Sequence, residues 1–93
     1  MDIFAKPNEA AVKKLLSESG LPIKDITAQH LHHFFGCGSG LELEGVIGLE
    51  LFGEVALLRS LAVARGHRGS GLGSRLVAHA ERHAQDQEVK SLY

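Results

Sequence analysis

Gly66, Gly69, Gly71 and Gly73 fall within eight residues, between a mostly apolar run and an amphipathic one. Glycine inside a helical turn costs about 1 kcal/mol relative to alanine. So many at one helix start call for positive φ or for something that approaches the main chain closely. A helix N-terminus also presents about four amide N–H groups without intrahelical partners, at the positive end of the helix dipole. Strand, glycine loop and helix in succession therefore suit a phosphate resting on bare N–H groups, although a turn that only reverses the chain would use the same residue type. Two nucleotide motifs are excluded. A Walker A loop needs Gly-Lys-Ser/Thr after its glycines, and no lysine occurs between Val55 and Val89. A dinucleotide fingerprint would need glycine at Ser74, after Gly69 and Gly71, and a parallel strand before it.

Other chemistry-bearing residues are less organised. His79 and His83 are spaced to share a metal from one helix, but no third ligand lies nearby in sequence, so no metal site is expected and both rings should face solvent. His30, His32 and His33 lie near a strand, in which His32 and His33 would point to opposite faces, and His67 should be a solvated loop residue. Cys37 is the single cysteine. It cannot form an intrachain disulfide, it should be a small core side chain, and a cytoplasmic location is expected.

The elements that hold these residues emerge from the periodicity. At 93 residues, 44% hydrophobic and 23% charged, the chain has the composition of one ordinary globular domain. Ten basic and eleven acidic side chains leave no basic excess for a nucleic acid. The longest apolar stretch, Val55–Ala64, is interrupted by Arg59 and is shorter than the roughly 20 residues of a membrane span. No membrane partner is expected. Residues 2–5 suit a strand, and Ala11, Val12, Leu15, Leu16 and Ser19 predict a helix over Pro7–Ser19, stopped by Gly20 and Pro22. Asp25 or Thr27 could cap one helical turn near Ile26–His30. His32–Cys37 reads as a strand and Gly36–Gly40 as a turn. In the next strand Leu41, Leu43, Ile47, Leu49 and Leu51 alternate to one face, and Glu42, Glu44 and Glu50 to the other with Val46 and Gly48. Phe52-Gly53-Glu54 is a hairpin turn. Val55–Ala64 is apolar on both faces apart from Arg59 and Ser60, so both should be covered. Leu72, Leu76, Val77, Ala80 and Ala84 predict a helix from about Gly71 to Gln87, and Val89 begins a last strand. The fold class is α/β or α+β.

The segment Arg68-Gly69-Ser70-Gly71-Leu72-Gly73 resembles the Gln/Arg-x-x-Gly-x-Gly/Ala signature of the GCN5-related N-acetyltransferases (GNAT). The preceding LRSLAVA is similar to that family's fourth strand, and the order of elements resembles the family along the whole chain. Within it, the GLP after the first helix and VIGLELFGEVALLRSLAV resemble the small arsenic-resistance-associated acetyltransferases. The resemblance implies a mixed sheet with an antiparallel meander, and acetyl-CoA as co-substrate. Amides of Gly69, Ser70, Gly71, Leu72, Gly73 and Ser74 would cradle its pyrophosphate while Arg68 shapes the loop. Main-chain groups of Leu61, Ala62 and Val63 would pair with the pantetheine arm, and an amide there would polarise the thioester carbonyl. The acceptor would be a small amine.

Against the family pattern, Val55–Arg65 contains no carboxylate to act as the base that many members carry in this strand. Glu50 and Glu54 are the substitutes, and Tyr93, being in a strand, is not assigned the role of acid. Members continue beyond the fifth strand, so residues 1–93 are expected to form a single partial domain lacking the C-terminal part. Such a domain would be an oligomer of like copies or be completed by another chain. An acyl-CoA-binding or interaction module without turnover is the alternative to an enzyme.

Overall fold

Alternating apolar residues lay down three antiparallel strands in succession, β2 (Phe34–Ser39), β3 (Glu42–Phe52) and β4 (Val55–Val63), and β1 (Ile3–Ala5), separated from them in the chain by the first helix, pairs antiparallel with β2. A short β5 (Ser91–Leu92) joins in parallel beside β4, giving a mixed five-stranded sheet in the order β1-β2-β3-β4-β5. The computed structural model describes residues 2–39 and 42–93. Helices α1 (Glu9–Glu18) and α2 (Leu72–Asp86) cover opposite faces of the sheet. Among the described residues, no helix is long and apolar enough to cross a membrane.

α1 begins two residues later than its periodicity suggests, at Glu9 rather than Pro7. Asn8 is the cap, its side chain accepting the Ala11 N–H at 3.0 Å, so Pro7 lies outside the helix. Ala11, Val12, Leu15 and Leu16 pack with Phe34, Leu43, Val46 and Ala62. On the other face Leu72, Leu76 and Ala80 of α2 meet Phe35, Cys37 and Ile47, while Ala84 joins Leu49 and Ala56. Each fully buried leucine contributes roughly 2 kcal/mol. Cys37 is buried as expected, and burial pushes its thiol pKa up.

The expected helical turn at Ile26–His30 is absent. The Thr27 N–H instead donates to His30 Nδ1 at 3.1 Å, and a 3₁₀ turn occupies His30–His33. β2 consequently starts at Phe34 rather than His32, and His32 and His33 do not alternate across a strand. Gly36–Ser39, expected as a turn, continues β2; Gly40 and Leu41 lie outside the described residues.

Two bulges break the simple alternation. Cys37 pairs with Gly45 but Gly38 pairs with Leu43, leaving Glu44 as an extra residue. The slip sends Leu43 to the α1 face with Val46, not to the face of Ile47 and Leu49. In β4, Ala62 pairs with Val46 but Arg59 pairs with Gly48, so Ser60 and Leu61 together oppose Ile47. Ser60 takes φ 56° there, unusual for a residue with a side chain. The expectation that both faces of β4 are covered is not met: Val55, Leu57 and Leu61 are 37%, 43% and 43% exposed. The ten residues of α1 span about 15 Å, half the roughly 30 Å of a nine-residue strand. They cover only the Ala62 end.

Where α2 crosses the sheet, glycine is needed. A Cβ on Gly45 would stand 2.9 Å from Leu76 Cδ1 and 3.1 Å from Leu72 Cδ2, so α2 lies directly on the β3 main chain.

Candidate functional site

The glycine loop joins the end of β4 to α2. A 3₁₀ turn over Arg65–His67 leaves the strand, and the chain reaches α2 through Gly69 at φ 82° and Gly71 at φ 83°, both in the left-handed region. Gly71 is the helix cap, and no side chain caps that end. The first hydrogen bond of α2 runs from Arg75 N–H to Gly71 C=O at 3.1 Å. The amides of Leu72, Gly73 and Ser74 precede it and have no intrahelical acceptor. A Cβ on Gly66, Gly69 or Gly71 would meet nothing within 4 Å, so these positions open to space.

Side chains fold the loop back on itself. Ser70 Oγ donates to the His67 carbonyl at 2.6 Å, and His67 Nε2 lies 3.1 Å from Glu44 Oε1, the residue that bulges from β3. Arg68 Nε donates to the Val63 carbonyl at 3.1 Å. A cleft of about 360 Å³ lies between the end of α1 and this loop, lined by Leu15, Glu18, Ser19, Ala64, Arg65 and Arg68. Arg65 was not singled out from sequence, yet it brings a second guanidinium beside Arg68. The cleft's lining stops short of the bare amides of α2 and includes the carboxylate of Glu18 with the two arginines; amides without acceptors at a helix start are of the kind that suits an anion.

The edge of β4 next to the loop is directional. Ala64 donates its N–H to Glu44 on the β3 side at 2.8 Å. By the alternation of an antiparallel pair, Val63 turns its N–H and C=O to the opposite edge, and Ala62 turns its groups toward β3. Among the described residues, the β4 residues paired with β5 are Val55 and Ala56, and the bonds that reach furthest toward the loop are those of Tyr93, whose N–H donates to the Ala56 carbonyl and whose carbonyl accepts from Leu58 N–H. Main-chain groups of Val63 therefore face an edge that β5 does not reach.

The two carboxylates named from sequence lie in different places. Glu54 sits in the hairpin turn at the start of β4, exposed and 3.4 Å from Lys90 Nζ, at the far end of the strand from the loop. Glu50 projects from β3 and pairs with Arg59 Nη1, while Arg59 Nη2 holds Asp25 Oδ2 at 2.8 Å. Burial opposes the charge on Arg59, but hydrogen bonds to Asp25 and Glu50 raise its pKa above the ordinary value. The hydrogen bond from Arg59 holds the Asp25 carboxyl below its ordinary value.

The expectation that His79 and His83 face solvent is not met. They stand edge-on to Phe35, with ring centroids 4.7 and 5.0 Å away, and His33 lies 5.9 Å from His83. His33 Nδ1 and His83 Nε2 are buried without hydrogen-bond partners. Among the described residues, no group of three or more His, Cys, Asp or Glu side chains could hold a metal. Burial first, then the neighbouring His33, lower the His83 pKa against a weaker opposing pull from Asp86, and His79 adds the smallest lowering. The unfolded chain thus binds a proton that the folded chain rejects. Stability from this ring is full above the unfolded value of 6.5 and is lost as the pH falls through that value toward the folded one. The melting temperature should drop between about pH 7.5 and pH 5, and His83→Phe should flatten that dependence; an equally steep profile in the variant would place the titration elsewhere.

The sequence matches the model of the acetyltransferase (GNAT) family over residues 2–93. No curated protein sequence matches it. Among solved structures, the GNAT-like fold recurs in N-acetylglutamate synthase from Neisseria gonorrhoeae, crystallised with coenzyme A and L-arginine. The TM-score is 0.82 at 21% identity, over 98% of this chain and 23% of that one. Rv2747 from Mycobacterium tuberculosis, in complex with CoA, aligns with a TM-score of 0.76 at 14% identity, over 96% of this chain and 60% of that one. The IAA acetyltransferase of Bacillus cereus aligns with a TM-score of 0.71 at 26% identity, over 98% and 62% of the two chains. The chain thus spans less than two thirds of the length of each.

Proposed function

The chain belongs to the acetyltransferase (GNAT) family, and from that premise we propose that it binds acetyl-CoA and transfers the acetyl group to a small amine. The observation that carries this reading is the uncapped start of α2, where Gly71 leads into amides with no side chain in front of them. The pyrophosphate sits on the amides of Gly69–Ser74, with Arg65 and Arg68 supplying positive charge beside it. The pantetheine arm runs along the free edge of β4, where Val63 offers an N–H. The Val63 carbonyl is already used by Arg68, which ties the phosphate loop to the strand that holds the arm.

The chemistry follows from that placement. The neutral amine attacks the thioester carbonyl, forming a C–N bond; the C–S bond then breaks, and CoA leaves as a thiolate that takes a proton. A main-chain N–H in Leu61–Val63 stabilises the oxyanion formed on attack. A lysine-like amine carries its proton up to pH about 10.4, so a base must accept one. Of the two carboxylates, Glu50 lies on the strand beside Arg59 and the bulge, and takes this role; Glu54, at the hairpin, is too far along β4.

One observation favours a second reading. The Glu50 carboxylate is occupied by Arg59, which fits a module that binds acyl-CoA without turning it over. Titration calorimetry with CoA followed by a thiol-release assay across a panel of amines separates the two. Binding with thiol release supports transfer, binding alone supports the module, and no binding refutes both.

A further inference from the structure

Arg59 is the one charge within the apolar β4 strand, and its side chain is only 15% exposed. A charge so placed needs partners, and this one has three, each from a different part of the chain. Its Nη2 meets Asp25 Oδ2 at 2.8 Å, in the segment that follows α1. Its Nη1 meets Glu50 Oε1 on β3. Its Nε donates to Ser60 Oγ at 3.1 Å, in the neighbouring residue of its own strand. All three guanidinium nitrogens are engaged, and the third bond fastens a residue held at φ 56°. A non-glycine residue in that region is disfavoured by roughly 1–2 kcal/mol and persists only where its surroundings impose it.

The bulge so imposed decides where the main chain of β4 points. Without the extra residue, strict alternation from Leu58, whose N–H faces β5, would turn Ala62 toward the β5 edge and Val63 toward β3. With it, the assignment is reversed and Val63 faces the free edge.

We propose that Arg59 is a positioning residue: anchored by Asp25 and Glu50 and bonded through Nε to Ser60, it holds the β4 bulge that turns the Val63 amide to the free edge, where an acyl thioester would lie. The inference rests on the acetyl-CoA reading above and adds to it the group that fixes the amide geometry. A misplacement of about 1 Å at such a site costs on the order of a hundredfold in rate.

The test uses amide NMR of the whole chain with acetyl-CoA and CoA as separate probes, and CoA affinity by calorimetry. In the unaltered protein, an amide within Ser60–Val63 should shift with acetyl-CoA but not with CoA. Arg59→Met should lose that acetyl-specific shift while keeping its CoA affinity, because the phosphate loop is untouched. The double variant Arg59→Met/Ser60→Gly should regain it, since glycine adopts the positive φ without a clamp. Arg59→Lys retains the charge and fold but cannot reach three partners, and should lose most of the shift even if Arg59→Met fails to fold. Where an amine is turned over, kcat should fall roughly 100-fold in Arg59→Lys and recover when Ser60→Gly is added. An acetyl-specific shift unchanged in Arg59→Lys, or absent from the double variant, overturns the role of Arg59 alone. Failure of the unaltered protein to bind either probe overturns the acetyl-CoA reading itself.

Discussion

Replacing Gly71 with aspartate should reduce CoA affinity by more than about a hundredfold while the domain stays folded. A Cβ at this position meets nothing within 4 Å, and aspartate is among the residues that tolerate the left-handed φ of 83°. The strain of roughly 1–2 kcal/mol should lower the melting temperature by about 5–15 °C for a domain of this size. The carboxylate, however, would stand where the pyrophosphate is proposed to rest. At about 5 Å and an effective dielectric of about 20, one pair of like charges costs about 3 kcal/mol, more than a hundredfold in Kd. Gly71→Asn adds nearly the same volume and strain without the charge, so it should lose much less affinity. Calorimetry with CoA on both variants reads the difference, and equal, undiminished binding would remove the loop from the site.

The largest effect on stability should come from the sheet. A Cβ on Gly48 would lie 2.4 and 2.5 Å from Cε1 and Cζ of Phe34, a ring that is 1% exposed at the centre of the α1 core. Overpacking of this kind costs about 1–3 kcal/mol, a large share of the roughly 5–15 kcal/mol that holds a domain together. Gly48→Ala should therefore lower the melting temperature by about 5–20 °C, and Gly48→Val should lower it further. Pairing Gly48→Ala with Phe34→Leu should recover part of the loss, because the smaller side chain vacates the contested space. Additive losses in the double variant would show that the clash is relieved by another route.

What the sequence made legible was local. The glycine loop, α2 with its stripe of Leu72, Leu76, Ala80 and Ala84, and the hairpin at Gly53 all declare themselves within one stretch of chain, because periodicity and turn chemistry are short-range. The two bulges were not legible, since an extra residue is defined by what lies opposite it. Nothing in GLELEG or LLRSLA marks Glu44 or Ser60 as unpaired, and one slip was enough to move Leu43 to the other face. The histidines misled for a related reason. His32 and His33 read as strand by their apolar neighbours, but the 3₁₀ turn places His33 against His83 on a helix much later in the chain. Arg59 did leave a signal, a lone charge in an apolar strand, and such a charge predicts partners; the sequence could not say that they would be Asp25 and Glu50.

The close seating of α2 on Gly45 carries one more consequence. The helix that begins at the glycine loop rests on bare main chain, so the height of its first turn above the sheet is set by a missing methyl group in the middle of β3. Any larger residue at Gly45 would act as a shim beneath Leu72 and Leu76, tilting the helix and lifting its open end away from the edge of β4. The spacing between the proposed pyrophosphate seat and the proposed thioester edge is thus gauged from below, by a position that would touch neither.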